Sequence, residues 1–182
     1  MKILGCFLVL SLILIAVPAQ ANDLTLFGGI QHQGKLTLSS GVQSAATVNF
    51  DPRNFGVFGV RAGHGNVFGG EHTLAYTPNF VESQRKAIIY NSNLLIQIPV
   101  PKVRPYVTAG LGAIFTSGDS IRDFGKKFAI NYGGGLKIMP AGRVGGRIDV
   151  RGYTVPEVKT QTLSVSQTLN IIEVSVGVVF SF

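Results

Sequence analysis

From residue 22 onward, apolar and polar side chains alternate one by one over long stretches, broken by Gly, Pro, Asn and Ser. A period of two is the signature of a strand with two unlike faces. Eight segments qualify: residues 23–32, 54–64, 67–77, 87–98, 104–116, 127–138, 143–154 and 170–182. Most are longer than the five or six residues typical of soluble strands. They match the roughly 9–11 residues that a strand needs to cross a bilayer. In the last segment Ile172, Val174, Val176, Val178, Phe180 and Phe182 alternate with Glu173, Ser175, Gly177 and Ser181. In 143–154, Val144, Ile148 and Val150 alternate with Arg143, Arg147, Asp149 and Arg151. Each strand has an apolar face, and the charges collect on the other.

The connections alternate too. Residues 33–53, 78–86, 117–126 and 155–169 are long and polar, whereas 65–66, 99–103 and 139–142 are short. Long outer loops and short periplasmic turns mark a transmembrane barrel. The pattern predicts an all-β, eight-stranded, antiparallel up-and-down transmembrane β-barrel over residues 22–182, with both termini on the periplasmic side. An eight-stranded barrel has an interior that side chains fill. The polar face, rich in Gly and carrying a few long charges, suits that interior better than it suits a solvated surface. Apolar residues then face lipid, with Phe68, Phe128, Phe180 and Phe182 as candidates for interfacial girdles.

The first 21 residues differ. Lys2 is followed by an uncharged apolar run from Ile3 to Val17 and by Ala19-Gln20-Ala21. This is the layout of a secretory signal with a small-x-small cleavage site, and the run is short for a spanning helix. Cleavage would remove the single cysteine, Cys6, and with it disulfide, thiol and cysteine-metal chemistry. It would also lower the formal charge from +7 to +6, since Lys2 is the only ionic residue of the segment. Glycine is 23 of 182 residues, nearly twice the usual share of about 7%. No residue run of the mature part is apolar for long enough to span as a helix, so a closed barrel is its only route into lipid. The basic residues are scattered, with no stripe that would suit nucleic acid. The pairs Arg85-Lys86 and Lys126-Lys127 fall in expected surface loops, where solvated flanks are the ordinary reading and contact with outer-leaflet phosphates the sharper one.

Charge on a sealed inner face must be paired. Arg61, Glu71, Lys137, Arg147, Asp149, Arg151 and Glu173 share the inward parity, which predicts a structural lumen network of four cations and three carboxylates. Pairing residues 127–138 with 143–154 places Lys137 opposite Arg143, Gly133 opposite Arg147, Asn131 opposite Asp149 and Ala129 opposite Arg151. In the hairpin of residues 54–77, parity calls for a three-residue loop, His64-Gly65-Asn66, with Arg61 diagonal to Glu71. The carboxylates have no nucleophile beside a base, so no catalytic residue is assigned. His32, His64 and His72 lack the close spacing of a metal set, and the latter two fall on the outward face. Gly133-Gly134-Gly135 and Gly110-x-Gly112 lack the strand–loop–helix setting of phosphate loops and read as room for lumen side chains. No cofactor or metal is expected.

These stretches resemble a known group. Arg104 to Gly112, Asn131 to Lys137, Arg147 to Tyr153 and the ending Val174 to Phe182 are similar to the small outer-membrane β-barrels of the OmpA transmembrane-domain and OmpX type. The resemblance covers the whole mature chain. It implies an integral outer-membrane protein, expected to be a monomer; in a departure from the full OmpA pattern, no peptidoglycan-binding domain is expected, the sequence stopping at Phe182. Val178, Phe180 and Phe182 would form the assembly signal read by the barrel-assembly machinery. The expected role is a non-enzymatic barrel with a filled lumen, structural or binding surface ligands through its outer loops. A lipid-modifying barrel enzyme, a narrow pore and a soluble lipocalin-type barrel are the alternatives.

Overall fold

In the computed structural model the described residues are 22–34, 36–39, 47–50, 52–80, 85–117, 125–140, 143–160 and 163–182. The expected signal segment, residues 1–21, lies outside them. Eight strands close a barrel: β1 (Asp23–Gln33), β4 (Arg53–Gly65), β5 (Phe68–Pro78), β6 (Lys86–Gln97), β7 (Val103–Ser117), β8 (Lys126–Ile138), β9 (Val144–Thr160) and β10 (Leu163–Ser181). Every neighbouring pair is antiparallel, and β1 closes the ring by pairing with both β4 and β10. Among the described residues no helix is long and apolar enough to cross a membrane; the strands are the candidates for crossing.

Two expected loops carry strand structure. The connection after β1 contains a separate hairpin, β2 (Leu36–Ser39) with β3 (Thr47–Phe50). The expected polar loop at 155–169 is largely an extension of β9 and β10, which stay paired past Val155 with register irregularities at Leu163, Gln167 and Leu169. Strands that continue beyond the lipid have no need of an apolar face, so their polar composition reads as loop.

The faces follow the alternation. Outward side chains such as Ile30, Phe58, Leu94, Val107, Ile148 and Val176 are exposed, as an apolar wall against lipid requires. Phe68 and Phe182 are 75% and 79% exposed near the short-turn end, while Phe115 and Phe128 lie near the other. The described chain ends sit together at the short-turn end, where Asp23 opposes Ser181. Asn22 ties this seam: its N–H donates to Gly63 O, its carbonyl accepts from Phe182 N–H and its side-chain oxygen accepts from Gly65 N–H.

The registers differ from expectation while the faces do not. Lys137 opposes Arg147, Gly135 opposes Asp149, Gly133 opposes Arg151 and Asn131 opposes Tyr153. The expected Lys137–Arg143 pairing is therefore displaced along β9. Parity cannot detect an even shift; steric fit can. A Cβ at Gly133 would come within 2.3 Å of Val150 O, and one at Gly135 within 2.0 Å of Ile148 O and 2.5 Å of the Tyr106 hydroxyl. The β4–β5 turn lies further along the chain than expected, with Gly65 (φ +92°) opposing Gly69. Arg61 opposes Thr73 and Glu71 opposes Gly63, so the two are diagonal, but each takes its ionic partners elsewhere.

Candidate functional site: the two-tier lumen

Four strands deliver the cations and carboxylates to the centre of the barrel. On β9, alternation puts Arg147, Asp149 and Arg151 on the inner face, one above the other. Asp149 meets three arginines: its Oδ2 is 3.0 Å from Arg61 Nη1 and 2.9 Å from Arg147 Nε, and its Oδ1 is 3.0 Å from Arg151 Nη2. The Tyr106 hydroxyl also donates to Asp149 Oδ1 and accepts from Arg147 Nε at 2.9 Å. Glu71 bridges two of the same arginines, with Oε2 2.6 Å from Arg147 Nη2 and Oε1 2.5 Å from Arg151 Nη2.

Arg61 also reaches past β1 to β10. Its Nη2 is 2.6 Å from Glu173 Oε1 and donates to Ser175 Oγ at 3.1 Å, while its guanidinium lies 3.6 Å from the centroid of the Phe27 ring. Gln31 Nε2 and the Tyr153 hydroxyl donate to Glu173 Oε2 at 2.7 and 3.2 Å. Arg61, Glu71, Arg147, Asp149, Arg151 and Glu173 are all at most 1% exposed.

Lys137 stands apart. Its Nζ lies 2.6 Å from Asp23 Oδ2 and donates to Gln97 Oε1 at 3.3 Å, near the short-turn mouth. Its neighbour across the sheet is Arg147, and the two cations avoid each other by turning to different carboxylates. Asp23 is the acid that the sequence reading missed. It shares the inner parity of β1 with Thr25, Gln31 and Gln33, which would have marked it. Among the described residues the lumen ion pairs thus comprise a network of three arginines and three carboxylates and the separate Lys137–Asp23 pair, four cations and four carboxylates together. Tyr106 and Tyr153 are lumen residues too, and alternation alone does not set them apart from lipid-facing aromatic residues.

Above this ionic tier, toward the long connections, the inner face becomes apolar. Phe55, Val57, Ile89, Ile114, Val155, Leu169 and Ile171 are buried there. The connection after β5 folds Phe80 inward, where its ring meets Phe55 edge-on at 5.4 Å. The lumen is thus filled by ion pairs in one half and mainly by hydrocarbon in the other, where Gln33, Thr77 and Arg85 are also buried.

The histidines do not join this network. His32 Nδ1 lies 2.7 Å from Asn54 Oδ1, and both are exposed. His72, on the outer face, stacks on Tyr90 and bonds its hydroxyl at 3.0 Å; the His64 ring centroid is 6.5 Å from that of His72. A hydrogen-bonding partner within the wall satisfies a polar ring facing lipid. Among the described residues no group of three or more His, Cys, Asp or Glu could hold a metal ion.

A closed ring of eight antiparallel strands, apolar outside and ionic within, defines an integral membrane barrel. The family described as outer membrane protein beta-barrel domain matches residues 7–181, and the chain belongs to that family. Two crystal structures are similar in fold. Neisserial surface protein A is 15% identical with a TM-score of 0.62, the match covering 87% of this chain and 97% of that one. The outer membrane protein OprG from Pseudomonas aeruginosa is 13% identical with a TM-score of 0.52, covering 90% and 97%. No curated protein sequence matches the chain.

Proposed function

We propose that this outer-membrane barrel is a non-enzymatic, sealed scaffold that displays its long connections to the cell exterior for binding surface ligands. The observation that carries this reading is the set of four cations and four carboxylates, paired with one another among the described residues, that crosses the lumen. Each charge has an opposite partner, so an ion crossing the barrel would have to displace a buried, mutually neutralised set, which is costly. The tier above it is lined mainly by hydrocarbon, with Gln33, Thr77 and Arg85 buried among it. Both described chain ends and the short turns share one end of the barrel, which becomes the periplasmic end by the usual asymmetry of such proteins. Binding then falls to the β2–β3 hairpin and the extended β9–β10 hairpin at the opposite end. The final strand, with Val178, Phe180 and Phe182 facing lipid, is the segment we assign to recognition by the barrel-assembly machinery.

Planar-bilayer recording and cysteine labelling test this together. The sealed reading expects no reproducible conductance steps. In cells, Gln161→Cys should react with a membrane-impermeant maleimide, and Asn66→Cys should react only after the outer membrane is opened. Reproducible steps would make it a pore. Reversed labelling would overturn the orientation. Shortened acyl chains in lipid recovered from reconstituted protein would favour the enzyme instead.

A further inference from the structure

Two basic dipeptides, Arg85-Lys86 and Lys126-Lys127, stand at the long-connection end of the wall. The pleat divides each of them. Arg85 is buried and Lys127 half-buried, whereas Lys86 and Lys126 are exposed and share the outward parity of Ile88 and Phe128. Lys86 opposes Ser117 and Lys126 opposes Phe115, so the two lysines flank β7 from either side. Neighbouring strands lie about 4.8 Å apart, which puts the two backbones roughly 10–12 Å apart. Lysine side chains from both sides can close that gap on one small anion.

The rest of this rim is different. Among the described residues, outward polar groups elsewhere on it pair as neutral partners, as in His32–Asn54 and in Thr154, whose Oγ1 donates to Asn170 Oδ1 at 3.0 Å. Among the described residues neither Lys86 nor Lys126 has a carboxylate within ion-pair distance. Directly below them Ile88, Phe115 and Phe128 face lipid, and Lys126 Nζ sits 5.8 Å from the Phe115 ring centroid. A lysine at such a border lays its stem on the apolar wall and holds its charge at the interface.

We propose that Lys86, Lys126 and the Ser117 hydroxyl form a binding sector for the phosphate of an outer-leaflet lipid headgroup, whose acyl chains lie along Ile88, Phe115 and Phe128. The inference rests on the orientation proposed above. A lipid fits better than free phosphate because the cationic sector is continuous with an apolar wall that only acyl chains would cover.

The test uses the full barrel folded into phosphatidylcholine vesicles that contain a minor share of diphosphoryl lipid A or of its dephosphorylated form. Lipid retained after transfer to detergent is counted by native mass spectrometry. The parent should retain the phosphorylated form preferentially. Lys86→Gln with Lys126→Gln should lower that retention about ten- to thirtyfold, since each lysine near an anionic surface contributes about 1 kcal/mol. Lys102→Gln with Arg143→Gln, at the short-turn end, should leave it unchanged. Equal retention of both lipids by the parent, no loss in the first variant, equal loss in the second, or stripping of the lipid by millimolar inorganic phosphate would each overturn the proposal. The retention measurement is blind to orientation in the cell, so exterior labelling at Asn66→Cys would overturn the scaffold's orientation and the outer-leaflet assignment while leaving the phosphate preference of Lys86 and Lys126 to be judged by retention.

Discussion

The two tiers of the lumen solve one packing problem with opposite chemistries. Near the short turns the space is filled by long charged side chains whose geometry is fixed by mutual hydrogen bonds. Toward the long connections it is filled by Phe55, Ile89, Ile114, Ile171 and the inserted Phe80. An ionic filling depends on every member being paired, because one removed partner leaves a buried charge exposed to nothing. An apolar filling loses only the contacts and volume that are deleted. The ionic tier is therefore brittle and the apolar tier tolerant.

The sharpest break of that contrast is Asp149→Asn. The change is nearly isosteric, so volume stays constant while Arg61, Arg147 and Arg151 lose a shared counter-charge. The expected loss is about 3–5 kcal/mol, the usual cost of orphaning a buried charge. Urea unfolding of the reconstituted barrel, read by heat-modifiable gel migration, measures it. A shift under 1 kcal/mol would mean that the three arginines find other ligands and that the tier is not brittle.

Next comes the pair at the short-turn mouth. Asp23 keeps 13% side-chain exposure beside a buried Lys137, so water can partly replace either partner. Lys137→Met should cost about 1–3 kcal/mol. Adding Asp23→Leu should recover most of that, because removing both members of an ion pair is often neutral. Additive losses in the double variant would show that each residue acts through packing alone.

What was legible in the sequence divides along the same physical lines. Alternation assigns Arg61, Glu71, Arg147, Asp149, Arg151 and Glu173 to the inner face because the side-chain period is two and lipid tolerates no unpaired charge. It cannot separate registers that differ by an even shift, so the Lys137–Arg143 pairing was displaced to Lys137–Arg147. The information needed was volumetric: Gly133 and Gly135 must stand beside the backbone and the Tyr106 ring, and sequence spacing does not give that. Asp23 was hidden by its place at the very start of a strand, where a charge reads as a flank. Residues 155–169 read as a loop because strands above the membrane lose the apolar face on which alternation depends. The apolar tier was invisible for a related reason: Ile89, Ile114 and Ile171 have the lipid-facing chemistry on the lumen-facing parity.

In that apolar tier, Ile114→Val removes one methylene from a side chain that is 2% exposed. The expected loss is about 0.5–1.5 kcal/mol, set by transfer and a small void. The same urea assay should show a lowered midpoint with an unchanged slope. A loss as large as that of Asp149→Asn would erase the distinction between the tiers.

The smallest effect belongs at their boundary. Thr73 and Asn91 oppose each other on β5 and β6, both fully buried, and neither the Thr73 hydroxyl nor the Asn91 amide has a hydrogen-bond partner among the described residues. A buried polar group without a partner costs free energy that an apolar group of the same shape does not. Thr73→Val keeps the branching and removes the hydroxyl, so it should leave the barrel equally stable or raise its stability by up to about 1 kcal/mol. A clear loss in the same assay would mean that the hydroxyl is satisfied in the lipid-embedded protein. The ionic tier would then reach one layer higher toward Ile89 than its hydrogen bonds reach among the described residues.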